Sequence, residues 1–206
     1  MRPRIRPAPS FARGVRRTRG AKARGLTYQR QVEEGLVGEI QALDLVAVIG
    51  PWIEYDDGRF CQPDIVCLPA PLAAEWRAIG EGRSPSPVPE ESAGCHEVTS
   101  KDCYSIGVTG SSQRHEVTSG ETPRAIPNFP RPIVIEAKLR HSPRAWTQLV
   151  ELYGPLVEEL VGVSPRLVEV TRSFDCATPW PEKPRLVKSL AEAPPRGVGI
   201  LPWGFL

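Results

Sequence analysis

Three residues of this chain have the types and spacing to do chemistry together: Asp64, Glu136 and Lys138. Glu136 and Lys138 lie in the run Ile133-Val134-Ile135-Glu136-Ala137-Lys138-Leu139. In an extended strand, side chains two apart point the same way. Glu136 and Lys138 therefore stand together with Val134, while Ile133, Ile135, Ala137 and Leu139 turn to the other face. Opposite charges at the end of a buried strand are unfavourable unless something uses them. Asp64 precedes a second apolar run, Ile65-Val66-Cys67-Leu68, and Pro63 suits a strand's first position, where a missing N–H is tolerated. If the two strands are neighbours, both carboxylates reach one divalent cation with the lysine beside them. Such a set suits hydrolysis of a phosphodiester. A hard cation takes oxygen ligands and keeps exchangeable waters. It activates a water and offsets phosphoryl charge, and a lysine orients that water or adds positive charge.

The elements that must position these residues are legible from pattern. Thr27 is the expected cap of a helix from Tyr28 to about Leu43, in which Tyr28, Val32, Leu36, Ile40 and Leu43 form one apolar stripe. Val46-Ala47-Val48-Ile49 reads as a short strand. Trp52-Ile53-Glu54-Tyr55 and Arg59-Phe60-Cys61-Gln62 read as a hairpin around Asp56-Asp57-Gly58, with the glycine available for positive φ. Trp52, Tyr55 and Phe60 are expected as core or sheet-face aromatics. After the Glu136 strand, Ser142 caps a helix with Pro143 at its first position. Leu149, Tyr153, Leu156 and Leu160 form its buried stripe, and Pro155 is expected to kink or divide it after Tyr153. Arg140 and Arg144 are the better candidates for DNA-phosphate contacts, with His141 in a surface loop beside phosphate. Pro165 to Thr171 supplies another strand, and Leu186-Val187 a short one. The order gives an α/β core with a mixed sheet and helices on its faces.

Pro63-Asp64, a variable interval, then Glu136-Ala137-Lys138 resembles the PD-(D/E)XK nuclease superfamily, in its resolvase-like and phage T7 endonuclease I-like branch. The likeness covers residues 25–68 and 132–172. It implies a restriction-endonuclease-like core, with a mixed central sheet flanked by helices. It implies that Asp64 and Glu136 hold Mg²⁺, with Mn²⁺ as a substitute, that the Ala137 carbonyl adds a ligand, and that Lys138 assists the water. Such nucleases open with a helix carrying a glutamate that reaches the metal. The matching segment here is Tyr28-Gln29-Arg30, so Gln29 replaces the carboxylate. Gln29 on a metal-bound water, or Glu33 or Glu39 in the missing acid's place, is the functional reading; solvated helix acids are the alternative. Gln148 and Tyr153 resemble the RecB-like Gln-x-x-x-Tyr feature, although they are five apart. Gln148 is the candidate for a substrate or supporting contact, and Tyr153 is mainly core.

The net charge of +2 hides an asymmetry: residues 1–24 carry eight Arg and one Lys with no acid, and the rest is acidic. That N-terminal arm is expected to be disordered and to bind a nucleic-acid backbone. Residues 25–190 are the expected nuclease-like domain, interrupted at 69–132 by a low-complexity insertion, and 191–206 form a Pro/Gly-rich apolar end that covers the core or meets a partner. Within the insertion, His96-Glu97-Val98-Thr99-Ser100 returns as His115-Glu116-Val117-Thr118-Ser119. Five scattered cysteines form neither a disulfide scaffold nor a zinc site and suit a reduced cytoplasmic setting. No run approaches the roughly 18 apolar residues of a membrane span, and the start lacks a signal-peptide core. The expected function is a Mg²⁺-dependent DNA endonuclease, structure-directed or weakly sequence-specific, either single or as a homodimer. The alternatives are an exonuclease of the same superfamily and a non-catalytic DNA-binding or assembly protein.

Overall fold

The Glu136 run forms β6 (Ile133–Arg140), a strand buried from Ile133 through Ala137, and the rest of the fold packs around it. The structure is a computed structural model that describes residues 2–12, 20–56, 58–83, 130–173 and 185–203. The repeated His-Glu-Val-Thr-Ser segment and Cys95, Cys103 and Cys176 lie outside the described residues.

Six strands make the main sheet: β2 (Val46–Ile49), β5 (Ile65–Leu68), β6, β7 (Arg166–Ser173), β8 (Arg185–Leu186) and β9 (Val198–Pro202). Their order is β2-β5-β6-β7-β9-β8. The β2-β5 and β5-β6 pairs are antiparallel, and β6-β7, β7-β9 and β8-β9 are parallel. The sheet is thus mixed, with helices on its faces, as an α/β chain requires.

One face is covered by α1 (Ala21–Ala42), whose Tyr28, Val32, Leu36 and Ile40 pack on Ile65, Ile133, Ile135, Ala137, Val168 and Val170. The alternation expected along the Glu136 strand is therefore present. The helix begins earlier than Thr27: Ala21, Lys22, Ala23 and Arg24 are strong helix formers that extend it upstream. Thr27 sits inside it, with Oγ1 donating to the Ala23 carbonyl at 3.1 Å.

The other face is covered by α2 (Ala70–Gly80), by a helix in three parts and by a small second sheet. Ala73 and Trp76 anchor α2 in the core, so the opening of the expected insertion belongs to the packed fold. Each large apolar side chain fully buried in these cores is worth about 1.5–3 kcal/mol. The three-part helix runs α3 (Pro143–Thr147), a π-helical segment (Gln148–Tyr153) and α4 (Gly154–Val161). Ser142 caps α3 as expected, accepting from Ala145 N at 3.3 Å. Pro155 lacks an N–H and its ring would meet the carbonyl four residues back. The chain answers by widening one turn, with the Gly154 N–H reaching the Leu149 carbonyl, five residues back.

The second sheet has the order β1-β3-β4, from Arg4–Arg6, Trp52–Tyr55 and Arg59–Cys61. Its hairpin turns at Gly58, with φ 80°. Residues 4–6 are thus in a strand, paired Arg4↔Glu54, Ile5↔Ile53 and Arg6↔Trp52, and not in a disordered arm. Ile5 between two arginines supplies the alternation that lets it pack inward. The C-terminal segment also enters the fold: Val198 to Leu201 are buried and lie beside β7, so the sheet continues past residue 190.

Candidate functional site

Asp64 is delivered to the end of β5 by the loop after the hairpin. Gly50 N donates to the Asp64 carbonyl at 2.8 Å, and Gln62 Nε2 donates to the Gly50 carbonyl at 2.9 Å. Gly50 has φ 52°, and a Cβ there would lie 2.9 Å from Gln62 Nε2. Only glycine fits this clamp without strain.

The β5-β6 ladder ends at Ile65↔Ile135. One step beyond it, the Ala137 N–H donates to Asp64 Oδ2 at 2.8 Å. In extended backbone the N–H and C=O of one residue point to the same side of the strand, so the Ala137 carbonyl is directed toward Asp64 as well. Lys138 Nζ lies 4.0 Å from Asp64 Oδ2 and pairs with Glu136 Oε1. The Glu136 side chain is 3 % exposed, that of Asp64 19 % and that of Lys138 33 %. The three predicted residues and Ala137 are therefore one cluster, reachable from the lysine side.

Burial raises both carboxyls above their usual range. Glu136 is pushed to about 7 by burial and by the Asp64 charge, with Lys138 pulling the other way. Asp64 is raised by burial, and Lys138 and the Ala137 N–H oppose it. Burial disfavours the Lys138 charge, but Glu136 and Asp64 outweigh it and hold the ammonium above its ordinary value. Glu136 Oε2 is buried with no hydrogen-bond partner. A carboxylate oxygen left so, beside a second carboxylate and a carbonyl, fits a hard divalent cation. Among the described residues, no group of three or more His, Cys, Asp and Glu side chains is arranged to hold a metal ion. A cation here would draw on two carboxylates, a carbonyl and water.

No protein-family model matches this chain, and no curated protein or solved structure is significantly similar to it.

The secondary candidates divide. Glu33, half-buried, hydrogen-bonds with Gln29, and burial and the Asp64 charge raise its carboxyl. Glu33 is thus near enough to feel the Asp64 charge, and Gln29 is its neighbour on α1. Glu39 is elsewhere: Oε2 accepts the Leu190 N–H at 2.8 Å and ties α1 to the turn before β9. Gln148 Nε2 donates to the Tyr153 hydroxyl at 3.4 Å. The π turn brings residues five apart onto one face. Tyr153 is buried, and burial followed by the charge of Glu136 raises its phenol. Arg140 and Arg144 are both exposed, at the end of β6 and in α3.

Of two further residues of this region, Glu169 escapes sequence reasoning and His141 lies elsewhere than expected. Glu169 lies opposite Glu136 in the β6-β7 register and is fully buried. His141 is buried too, not in a surface loop, and its Nδ1 is 2.8 Å from Glu169 Oε2. Burial pushes Glu169 up to about 8 and lowers His141, so burial disfavours the charged form of each. The signal for Glu169 was an acid in the middle of Leu167-Val168-Glu169-Val170.

Proposed function

We propose that this chain is a divalent-metal-dependent DNA endonuclease with a restriction-endonuclease-like core, using Mg²⁺ or in its place Mn²⁺. The observation that carries the reading is the Ala137 N–H donating to Asp64, because it brings the Asp64 strand end against the Glu136-Ala137-Lys138 segment. Asp64 and Glu136 would hold the cation, with the Ala137 carbonyl as a third oxygen. A bound cation supplies an activated water and offsets phosphoryl charge. Lys138 places an ammonium where the phosphoryl group gains negative charge. Arg140 and Arg144 hold backbone phosphates from the exposed end of β6 and from α3, without reading sequence. Glu33, which feels the Asp64 charge, and its partner Gln29 would be the α1 residues to orient water there. An exonuclease would use the same residues.

A second reading, a DNA-binding or assembly protein without catalysis, draws on a different observation. Asp64 Oδ2 already accepts from Ala137, and Lys138 already pairs with Glu136, so the cluster is partly satisfied by its own members. The deciding experiment incubates the purified chain with supercoiled, linear and four-way-junction DNA, with and without Mg²⁺. Metal-dependent nicking of the covalently closed circle supports the endonuclease. Degradation of linear DNA alone makes it an exonuclease. Binding without cleavage in Mg²⁺ and in Mn²⁺ sinks the enzyme and leaves the second reading.

A further inference from the structure

The small sheet has an outer face that the proposed chemistry does not use. Its register sets Arg6 opposite Trp52, and both Arg4 and Phe60 opposite Glu54, so these side chains project to one side. Ile5, Ile53 and Cys61 project to the other side and are buried. On the outer side the rings of Phe11, Trp52 and Phe60 meet edge to face, with centroids 5.8, 6.1 and 6.4 Å apart. Phe11 is 70 % exposed. The sequence pattern placed Trp52 and Phe60 in a core or on a sheet face; the register puts them on the solvent side, half-buried.

An exposed aromatic group bordered by arginines matches one kind of partner. Arg4 and Arg6 are exposed beside the rings, Arg6 being held by Glu54 at 2.6 Å, and residues 1–24 carry nine basic side chains and no acid. That charge is complementary to a phosphate backbone. Rings that offer a free face take unstacked bases, which a duplex conceals and a single strand presents.

We propose that this face is a stacking platform for single-stranded nucleic acid. Phe11, Trp52 and Phe60 take bases, and Arg4 and Arg6 take phosphates. Cys61, the last residue of β4, is three residues before Asp64, so a strand leaving the platform lies about 10 Å of chain from the carboxylates. Resting on the nuclease reading, this names the substrate class as DNA with an unpaired arm, such as a fork, flap or gap.

Binding is measured with the full chain in chelator, by anisotropy of a fluorescein-labelled oligothymidylate and of a labelled duplex of equal length. Phe11→Ala, at a position too exposed to carry the fold, should weaken oligothymidylate binding by about 10-fold, and Trp52→Leu with Phe60→Leu by about 10- to 100-fold. Duplex affinity should change by less than about 2-fold, because phosphate contacts dominate there. A melting curve accompanies the double variant; if it unfolds early, Phe11→Ala alone decides. No oligothymidylate binding by the parent, unchanged affinity in Phe11→Ala, or an equal loss on duplex overturns the platform. Cleavage does not enter this readout, so a failed platform and a failed metal site are told apart.

Discussion

Asp64, Glu136 and Lys138 stand where β5 begins beside β6, whereas Glu169 lies on β7, opposite Glu136, with His141 against it from the loop after β6. The first cluster keeps a lysine that is one-third exposed, whose ammonium offsets one of two carboxylates. The second is sealed, with side chains 0 % and 1 % exposed, and burial there disfavours charge on both Glu169 and His141. Burial acts on both carboxylate groups in the same direction. What differs is the available remedy: in the proposed site a cation could supply it, and in the sealed one a proton. The contrast gives each cluster a role. A cluster with Asp64 and Lys138 partly exposed can exchange an ion with solvent, while burial of Glu169 disfavours a further negative charge beside Glu136.

Breaking the open cluster has the largest expected effect. Asp64→Asn and Glu136→Gln should each lower Mg²⁺-dependent cleavage about a thousand-fold or more, because each removes a charged oxygen ligand. DNA affinity should hold, since neither side chain reaches bases. Single-turnover cleavage with a parallel binding curve measures both, and parent-like cleavage by the two variants would remove this site.

Lys138→Ala comes next, at about a hundred-fold or more in the chemical step. Lys138→Arg should rescue poorly, because a planar fork cannot occupy the point between Glu136 and Asp64 that an ammonium fills. Full turnover by the alanine variant would leave the lysine as a charge balancing two buried acids.

The open cluster was legible in sequence and the sealed one was not, for a physical reason. Ile133 to Leu139 puts charges at the end of an apolar run, which marks a buried strand reaching an edge. Leu167-Val168-Glu169-Val170-Thr171 alternates, and alternation reads equally as a strand with one solvated face. Only the helix packed over that face turns Glu169 into a buried acid. The C-terminal strand was hidden similarly: Gly197, Gly199 and Pro202 read as loop chemistry, yet the apolar Val198, Ile200 and Leu201 pair into the sheet once β7 offers its edge. The arm's start reads as disordered in sequence because Ile5 between arginines gives no period, yet Pro3 and Ile5 are both buried. Glu39 looked like Glu33 on a helix stripe, and only the tertiary fold separates a carboxylate near Asp64 from one that caps Leu190.

Glu169→Gln sharpens the contrast through stability. Between its ordinary value of 4.5 and its value of about 8 in the fold, the unfolded chain has released the proton and the folded chain retains it. The folded state then binds more protons, so stability falls as pH rises through this window, by at most about 1.4 kcal/mol per pH unit. The variant has no such proton to lose. Its stability relative to the parent should climb from about pH 5 to about pH 8 in urea melts and level off above that. A difference that stays constant across the window would mean that Glu169 is ionised in the fold, and the distinction between the clusters would fall.

The smallest effect is expected where the open cluster meets the π turn. Tyr153 packs in the core with its hydroxyl 3.4 Å from Gln148 Nε2, a long contact, and with Asp64 and Glu136 near enough to disfavour its ionisation. A phenol kept neutral there donates or accepts a hydrogen bond but carries no charge to the phosphoryl group. Tyr153→Phe keeps the ring and its packing and removes a hydrogen bond worth about 0.5–1.5 kcal/mol. Cleavage should therefore fall by about 2- to 10-fold, with little change in melting temperature. Gln148→Ala should lose a similar amount, and the double variant no more than the larger single loss, because the two act through one contact. A hundred-fold loss with Tyr153→Phe alone would place the hydroxyl among the reacting groups, and the open cluster would then extend from the strand ends onto the helix.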